Sequence, residues 1–156
     1  MNEQVSIVYL SRNPQYIPVL ASWVYDYWGE MYRIQSVEEQ IAKMSDRLNT
    51  NNFPLALVAL MGSVPVGTVS LKIQEMTTHK HLYHWLGTLY VLPNYRKKGI
   101  GRTLVKHAET KARELGVKTL YLHTPDKEQF YMHQGWETIE RPVYFGMQVA
   151  VMSKEI

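Results

Sequence analysis

Arg96-Lys97-Lys98-Gly99-Ile100-Gly101-Arg102 is the stretch on which the reading of this chain turns. It joins an apolar segment ending near Val91 to a long amphipathic segment beginning near Ile100, so it reads as a strand, a basic glycine loop and a helix start. Backbone N–H groups at a helix N-terminus have no intrahelical partner, and the helix dipole is positive there. Glycines remove the side chains that would keep a phosphate away. The expected ligand is a phosphorylated cofactor.

The chain has 156 residues, 46% of them apolar, which fits one globular domain over residues 1–156. It has no cysteine, so disulfides, thiolate metal sites and a cysteine nucleophile are excluded. The longest apolar run, Leu55 to Met61, is far below the roughly 20 residues of a membrane helix. With Glu3 early and Arg12, Asn13 and Pro14 soon after, the start lacks the charged region and apolar middle of a signal peptide. A cytoplasmic protein without a membrane partner is expected. The balance of 17 basic against 14 acidic residues, net +3, argues against a general nucleic-acid surface. The charge is concentrated around Arg96 to Arg102, as suits one polyanionic small molecule.

Working outward, Val5 to Leu10 alternates like a short strand. Leu20, Trp23, Val24, Tyr27 and Trp28 fall at helical spacing in a helix opening close to Pro18. Ser36 with Glu39 forms a capping-box pattern before a second helix over Val37 to Leu48. Leu55 to Met61 and Val66 to Ile73 read as a hairpin around Gly62-Ser63, and Tyr83 to Val91 as another strand. Beyond the loop, Ile100, Leu104, Ala108, Ala112 and Leu115 trace one helix face, ended by Gly116. Thr119 to His123 is a strand and Lys127 to Gln134 a short helix. Trp136 to Arg141 and Gln148 to Ser153 form a terminal strand pair around Pro142 and Gly146. The pattern predicts an α+β fold, a three-layer arrangement with a mixed, mostly antiparallel sheet of about seven strands flanked by helices.

A dinucleotide fingerprint fails because Leu104 stands where its third glycine belongs, and no Gly-Lys-Ser/Thr phosphate loop is present. The run from Leu89 through Gly101 instead resembles the acetyl-CoA-binding motif of GNAT acetyltransferases, whose core is Arg or Gln, two residues, Gly, one residue, Gly or Ala. Phe130-Tyr131-Met132-His133-Gln134-Gly135-Trp136 resembles the same family's second signature. The resemblance covers nearly the whole chain and is weakest before Leu55.

That resemblance implies acetyl-CoA as cofactor, with coenzyme A as product. It assigns the cofactor to Arg96, Lys97, Lys98, Gly99, Ile100, Gly101, Arg102 and Thr103, the main-chain N–H groups of Lys98 to Thr103 holding the pyrophosphate. It places Leu89, Tyr90 and Val91 along the pantetheine arm, and Thr124 where relatives often carry an asparagine that touches it. Tyr131 matches the family's general acid. The implied activity is acetyl transfer to a primary amine by direct attack on the thioester.

The base is where the chain departs from the pattern. Trp85 stands where several relatives carry a glutamate or tyrosine, and an indole cannot accept a proton. His123 resembles a histidine that works through water in some relatives and ranks first, with Glu75 or a wholly water-mediated route behind it. Deprotonating a lysine-like amine at pH 7 costs about 4.6 kcal/mol, and an α-amino group only about 1.1. A site without a strong carboxylate base is easier to reconcile with an α-amino or other weakly basic amine than with peptide lysine, the expected acceptor being a small-molecule amine or a protein or peptide N-terminus.

Glu30, Trp28, Trp85 and Tyr144 are the expected acceptor-pocket residues, aromatic walls with a carboxylate to hold a cationic amine. Trp23 and Tyr27, at helical spacing, are expected in the core. His79 and His81 share a strand face without a completing ligand, so no metal is expected. The chain is expected to be a monomer or homodimer. A non-catalytic acyl-CoA-binding module is the rival from another class, favoured by Trp85 and opposed by Tyr131.

Overall fold

A computed structural model describes residues 4–156; Glu3 lies outside the described residues. The elements are β1 (Val5–Tyr9), α1 (Ile17–Trp28), α2 (Val37–Ser45), β2 (Leu55–Met61), β3 (Val64–Lys72), β4 (Trp85–Val91), α3 (Ile100–Glu114), β5 (Thr119–Thr124), α4 (Glu128–Met132), β6 (Glu137–Glu140), β7 (Val143–Tyr144), β8 (Met147–Gln148) and β9 (Ala150–Glu155). Seven strands form one sheet in the order β1-β2-β3-β4-β5-β9-β6, while β7 and β8 make a separate small hairpin. Within the large sheet only β4 and β5 run parallel. The predicted α+β sheet flanked by helices is the one observed.

The two faces of the sheet bury different helices. Leu55, Leu57 and Ala59 of β2 join Val69, Leu71, Leu104, Ala108 and Ala112 on the α3 side. Ala56, Val58 and Leu60 pack with Leu20, Trp23, Val24 and Met44 on the α1–α2 side. Coverage on both faces explains why Leu55 to Met61 is an unbroken apolar run rather than an alternating one. Pro18 lies in the opening turn of α1 as expected. The side chain of Ser36 accepts from the Glu39 N–H at 3.1 Å, and Glu39 reaches back to accept from the Gln35 N–H.

Several boundaries differ from expectation, four of them for a visible reason. The helix α2 stops at Ser45, because Leu48 leaves it to bridge Leu55. β3 begins two residues early, at Val64, where the tight turn at Gly62 and Ser63 delivers the chain directly into pairing with Met61. β4 begins at Trp85: His84 takes a φ of 75°, left-handed and incompatible with a strand, and its ring lies against Phe53. The terminal segment splits into β8 and β9, since the Val149 N–H turns aside to Pro142 O at 2.9 Å.

Candidate active site

The loop after β4 sets up the site. Gly99 holds a φ of 82°, conformation that a β-carbon would strain, and Ile100 and Leu104, 3% and 0% exposed, anchor α3 behind it. Beyond Arg96, the first backbone amide bonded within the chain is that of Thr103, to Gly99 O at 3.0 Å. The amides of residues 97 to 102 are therefore free, with Lys97, Lys98 and Arg102 exposed around them. Arg96 is exposed as well and makes two contacts of its own. Its Nε donates to Val91 O at 2.8 Å, and its guanidinium lies over the Tyr90 ring, so it braces the loop against β4.

β4 supplies an open edge beside this cradle. It meets β5 at a single bridging pair, Trp85 with Tyr121, and then the two strands part. On its other edge the register with β3 jumps between Ser70–Gly87 and Thr68–Tyr90, so Thr88 and Leu89 together oppose Val69. This is a β-bulge, and Thr88 carries its strain with a φ of 52°. The Leu92 N–H bonds Val66 O on β3, so by strand alternation the Val91 N–H faces the gap, while its carbonyl is taken by Arg96. Across the gap Phe130 of α4 comes within 3.4 Å of where a β-carbon on Gly101 would stand.

Tyr131 follows Phe130 and is 7% exposed, packed against Trp136 and making no side-chain hydrogen bond. Burial, reinforced by Asp126, pushes its phenol well above the usual range, so it holds its proton. Thr124, the expected cofactor contact, accepts the Lys127 N–H on its hydroxyl at 2.9 Å and so shapes the turn into α4. Trp28, Tyr27 and Trp23 ring Tyr90 at centroid distances of 6.0, 5.6 and 5.7 Å, which puts Trp28 beside the gap. Trp23 is core as expected, whereas Tyr27 is 41% exposed.

The α1–α2 face of β3, β4 and β5 carries a row of charge. Lys72 Nζ lies 2.7 Å from Glu75 Oε2, close enough for an ion pair though not aligned as a hydrogen bond. Both sit over Gly87, where a β-carbon would stand 3.0 Å from Glu75 Oε2 and 3.4 Å from Lys72 Nζ. His123 Nε2 is 3.9 Å from Glu75 Oε1, and His123 Nδ1 is buried with no partner in the chain. Burial alone would raise the Glu75 pKa, but Lys72 and His123 outweigh it and hold the carboxylate well below the usual range. Lys72 is lowered to about 8 by burial and by Arg47, with Glu75 opposing. Tyr32 and Tyr144 close over His123 with ring centroids 5.8 and 5.6 Å away. Burial and the nearby Glu75 push Tyr32 up to about 12.

One acceptor-pocket expectation needs correction. Trp85 is 0% exposed and donates its indole N–H to Leu82 O at 2.9 Å, so it forms a floor beneath His123 and cannot line a pocket. Glu30 is exposed, and the carboxylate in the charged row is Glu75, previously ranked behind His123 as a base. Tyr144 does join the cluster around His123. Sequence reading missed Lys72, Tyr32 and Arg47. Arg47 had a signal, since it falls three residues after Met44, where the apolar spacing of α2 would continue past its end. His79 pairs with Glu140 at 2.8 Å, a carboxylate not anticipated there, but no metal-competent cluster occurs among the described residues.

A gap lined by unpaired extended backbone and ending on free helix-start amides fits a ligand with amides along one arm and a pyrophosphate at its end. That is the form of coenzyme A, and the class so defined is the coenzyme-A-dependent acyltransferases. The chain belongs to the acetyltransferase (GNAT) family, whose model matches residues 17–136, and acetyl-CoA is the cofactor of that family. It is 34% identical over 87 residues to the aminoalkylphosphonate N-acetyltransferase of Salmonella typhimurium, an alignment covering 51% of this chain and 54% of that protein. The chain thus matches about half the length of this curated relative. Its fold is that of an aminoglycoside 6'-N-acetyltransferase complexed with coenzyme A (TM-score 0.75, 22% identity, 96% of each chain). It is equally that of the PaiA N-acetyltransferase of Thermoplasma acidophilum in complex with coenzyme A (TM-score 0.72, 23% identity, 98% of this chain and 99% of that one). No helix among the described residues is long and apolar enough to cross a membrane.

Proposed function

We propose that the chain is an N-acetyltransferase that acetylates the primary amine of a small molecule. The observation that carries this is the parting of β4 and β5 after one bridging pair, with the free amides of residues 97 to 102 at one end and the His123–Glu75 pair on the sheet face beside the gap. The cofactor arm lies along the edge from Leu89 to Val91, and its pyrophosphate against the start of α3, with Lys97, Lys98 and Arg102 supplying charge. Bound acetyl-CoA supplies the acetyl group as a thioester. The acceptor nitrogen forms the new amide bond as the carbon–sulfur bond breaks.

His123 takes the amine proton on Nδ1, the nitrogen without a partner in the chain, while Glu75 on the Nε2 side stabilises the imidazolium. Tyr131, still protonated at alkaline pH, gives its proton to the departing sulfur. Because a carboxylate supports the base, the site does not depend on an acceptor of low basicity. The curated relative, by its name, acts on aminoalkylphosphonates, which supports a small-molecule acceptor over a peptide N-terminus. The test is a panel of primary amines with acetyl-CoA, reading released thiol. Turnover with small amines that collapses in His123→Ala is the expected result. Coenzyme A binding without turnover on any amine overturns the enzymatic reading in favour of a binding module.

A further inference from the structure

Arg47 is the charged group that the reaction above leaves unused. It is 6% exposed, yet no carboxylate lies within ion-pair distance of it among the described residues. Its Nη1 donates to Ser70 Oγ at 3.1 Å and, more weakly, faces Thr88 Oγ1 at 3.5 Å, which accounts for one nitrogen of a five-donor fork. The nearest strong acceptor in the row, Glu75, is already held by Lys72 at 2.7 Å. Arg47 and Lys72 also share the wall of a cavity of about 270 Å³ whose lining adds Lys43, Asp46, Pro54, Ile73 and Gln74 and does not itself reach His123. Glu75 and Asp46 act on this guanidinium only from beyond ion-pair distance, so an arriving anion can still pair with it directly.

We infer that Arg47 and Lys72 form an oxyanion subsite of the acceptor pocket, so that the substrate is a small amine carrying a phosphonate or carboxylate group. The inference rests on the acetyltransferase reading of the site. A planar fork beside an ammonium suits two oxygens of either anion. Arg47 contacts the bulge residue Thr88 and Lys72 stands over Gly87, so the anion lies over the β3–β4 side of the row and the amine faces His123 on β5.

The test compares kcat/KM for 2-aminoethylphosphonate, β-alanine and the uncharged β-alaninamide in the full chain, then in Arg47→Gln and Arg47→Lys, with melting temperature and coenzyme A binding as folding controls. The expected result is a preference of about tenfold or more for an anionic acceptor over β-alaninamide, lost in Arg47→Gln and partly restored in Arg47→Lys. Whichever of the phosphonate and the carboxylate is preferred identifies the source of the anion. A preference near one, or one that survives Arg47→Gln in folded protein, overturns the subsite. If no amine is acetylated, the enzymatic reading fails, and calorimetry with methylphosphonate, which has no amine, judges the subsite alone. Saturable binding weakened by Arg47→Gln supports it, and no binding overturns it.

Discussion

Glu75→Gln removes one charge and almost no volume, and it separates the electrostatic claim from the packing claim. The carboxylate is 2.7 Å from Lys72 Nζ and 3.9 Å from His123 Nε2, with the two side chains of the Lys72 pair 14% and 21% exposed. Breaking a fully buried ion pair costs about 3–5 kcal/mol, and this partial exposure reduces the expected loss to about 2 kcal/mol at pH 6.5. The loss depends on Lys72 being charged. Since its pKa is lowered to about 8, Lys72 is an ammonium at pH 6.5 and largely neutral at pH 9, where the glutamine no longer deprives it of a partner. Urea denaturation of both proteins at the two pH values should therefore show a deficit that shrinks on raising the pH. Turnover should fall about tenfold to a hundredfold at both, because the imidazole loses the group that stabilises and orients it. A deficit below about 0.5 kcal/mol at pH 6.5, or one equal at both pH values, would refute a functioning Lys72–Glu75 pair.

Tyr131→Phe should lower kcat by about 10²-fold or more while leaving coenzyme A affinity within error, measured by thiol release and calorimetry. In Gly87→Ala the new methyl group must displace Glu75 Oε2 from 3.0 Å, so kcat should fall sharply, with coenzyme A binding retained. Gly99→Ala places a β-carbon at a φ of 82°, costing about 1 kcal/mol of stability by chemical denaturation and weakening coenzyme A binding. The ratio of kcat/KM for β-alanine to that for β-alaninamide, each corrected for amine ionisation, should be constant below about pH 7. It should then decline through pH 8 as Lys72, flanked by Glu75, Arg47 and Lys43, loses its proton.

The cofactor side was legible in the sequence because its signals are local. Glycines, basic residues and a change of periodicity all fall within Leu89 to Leu104, and Phe130 to Trp136 repeats the same locality one strand later. The acceptor side was not, because its contacts are assembled from distant segments. Arg47 reaches Ser70 across 23 residues and Thr88 across 41, and His79 meets Glu140 across 61. Alternation assigned Trp85 to a face of the sheet but carried no information on depth, so a fully buried floor was read as a wall. The bulge at Thr88 left no signal either, since a threonine at a φ of 52° contradicts its own preference and is held there by the register of β3.

Trp85 takes a different meaning once its depth is known. A base at that place on β4 would project onto the face where Glu75 and Lys72 now lie over Gly87. The indole instead fills the space under His123, 6.3 Å between ring centroids, packed with Met76 and Val151. A floor of that size lifts the imidazole toward Tyr32 and Tyr144, and the carboxylate that β4 lacks is supplied by Glu75 from the segment after β3. In the proposed reaction the proton-accepting function has thus moved from β4 to β5. Trp85→Ala should therefore be harmful through His123 rather than through substrate contact: kcat should fall with the imidazole's loss of support, while KM for the acceptor changes little. A large rise in KM with kcat intact would put the indole back in the pocket wall.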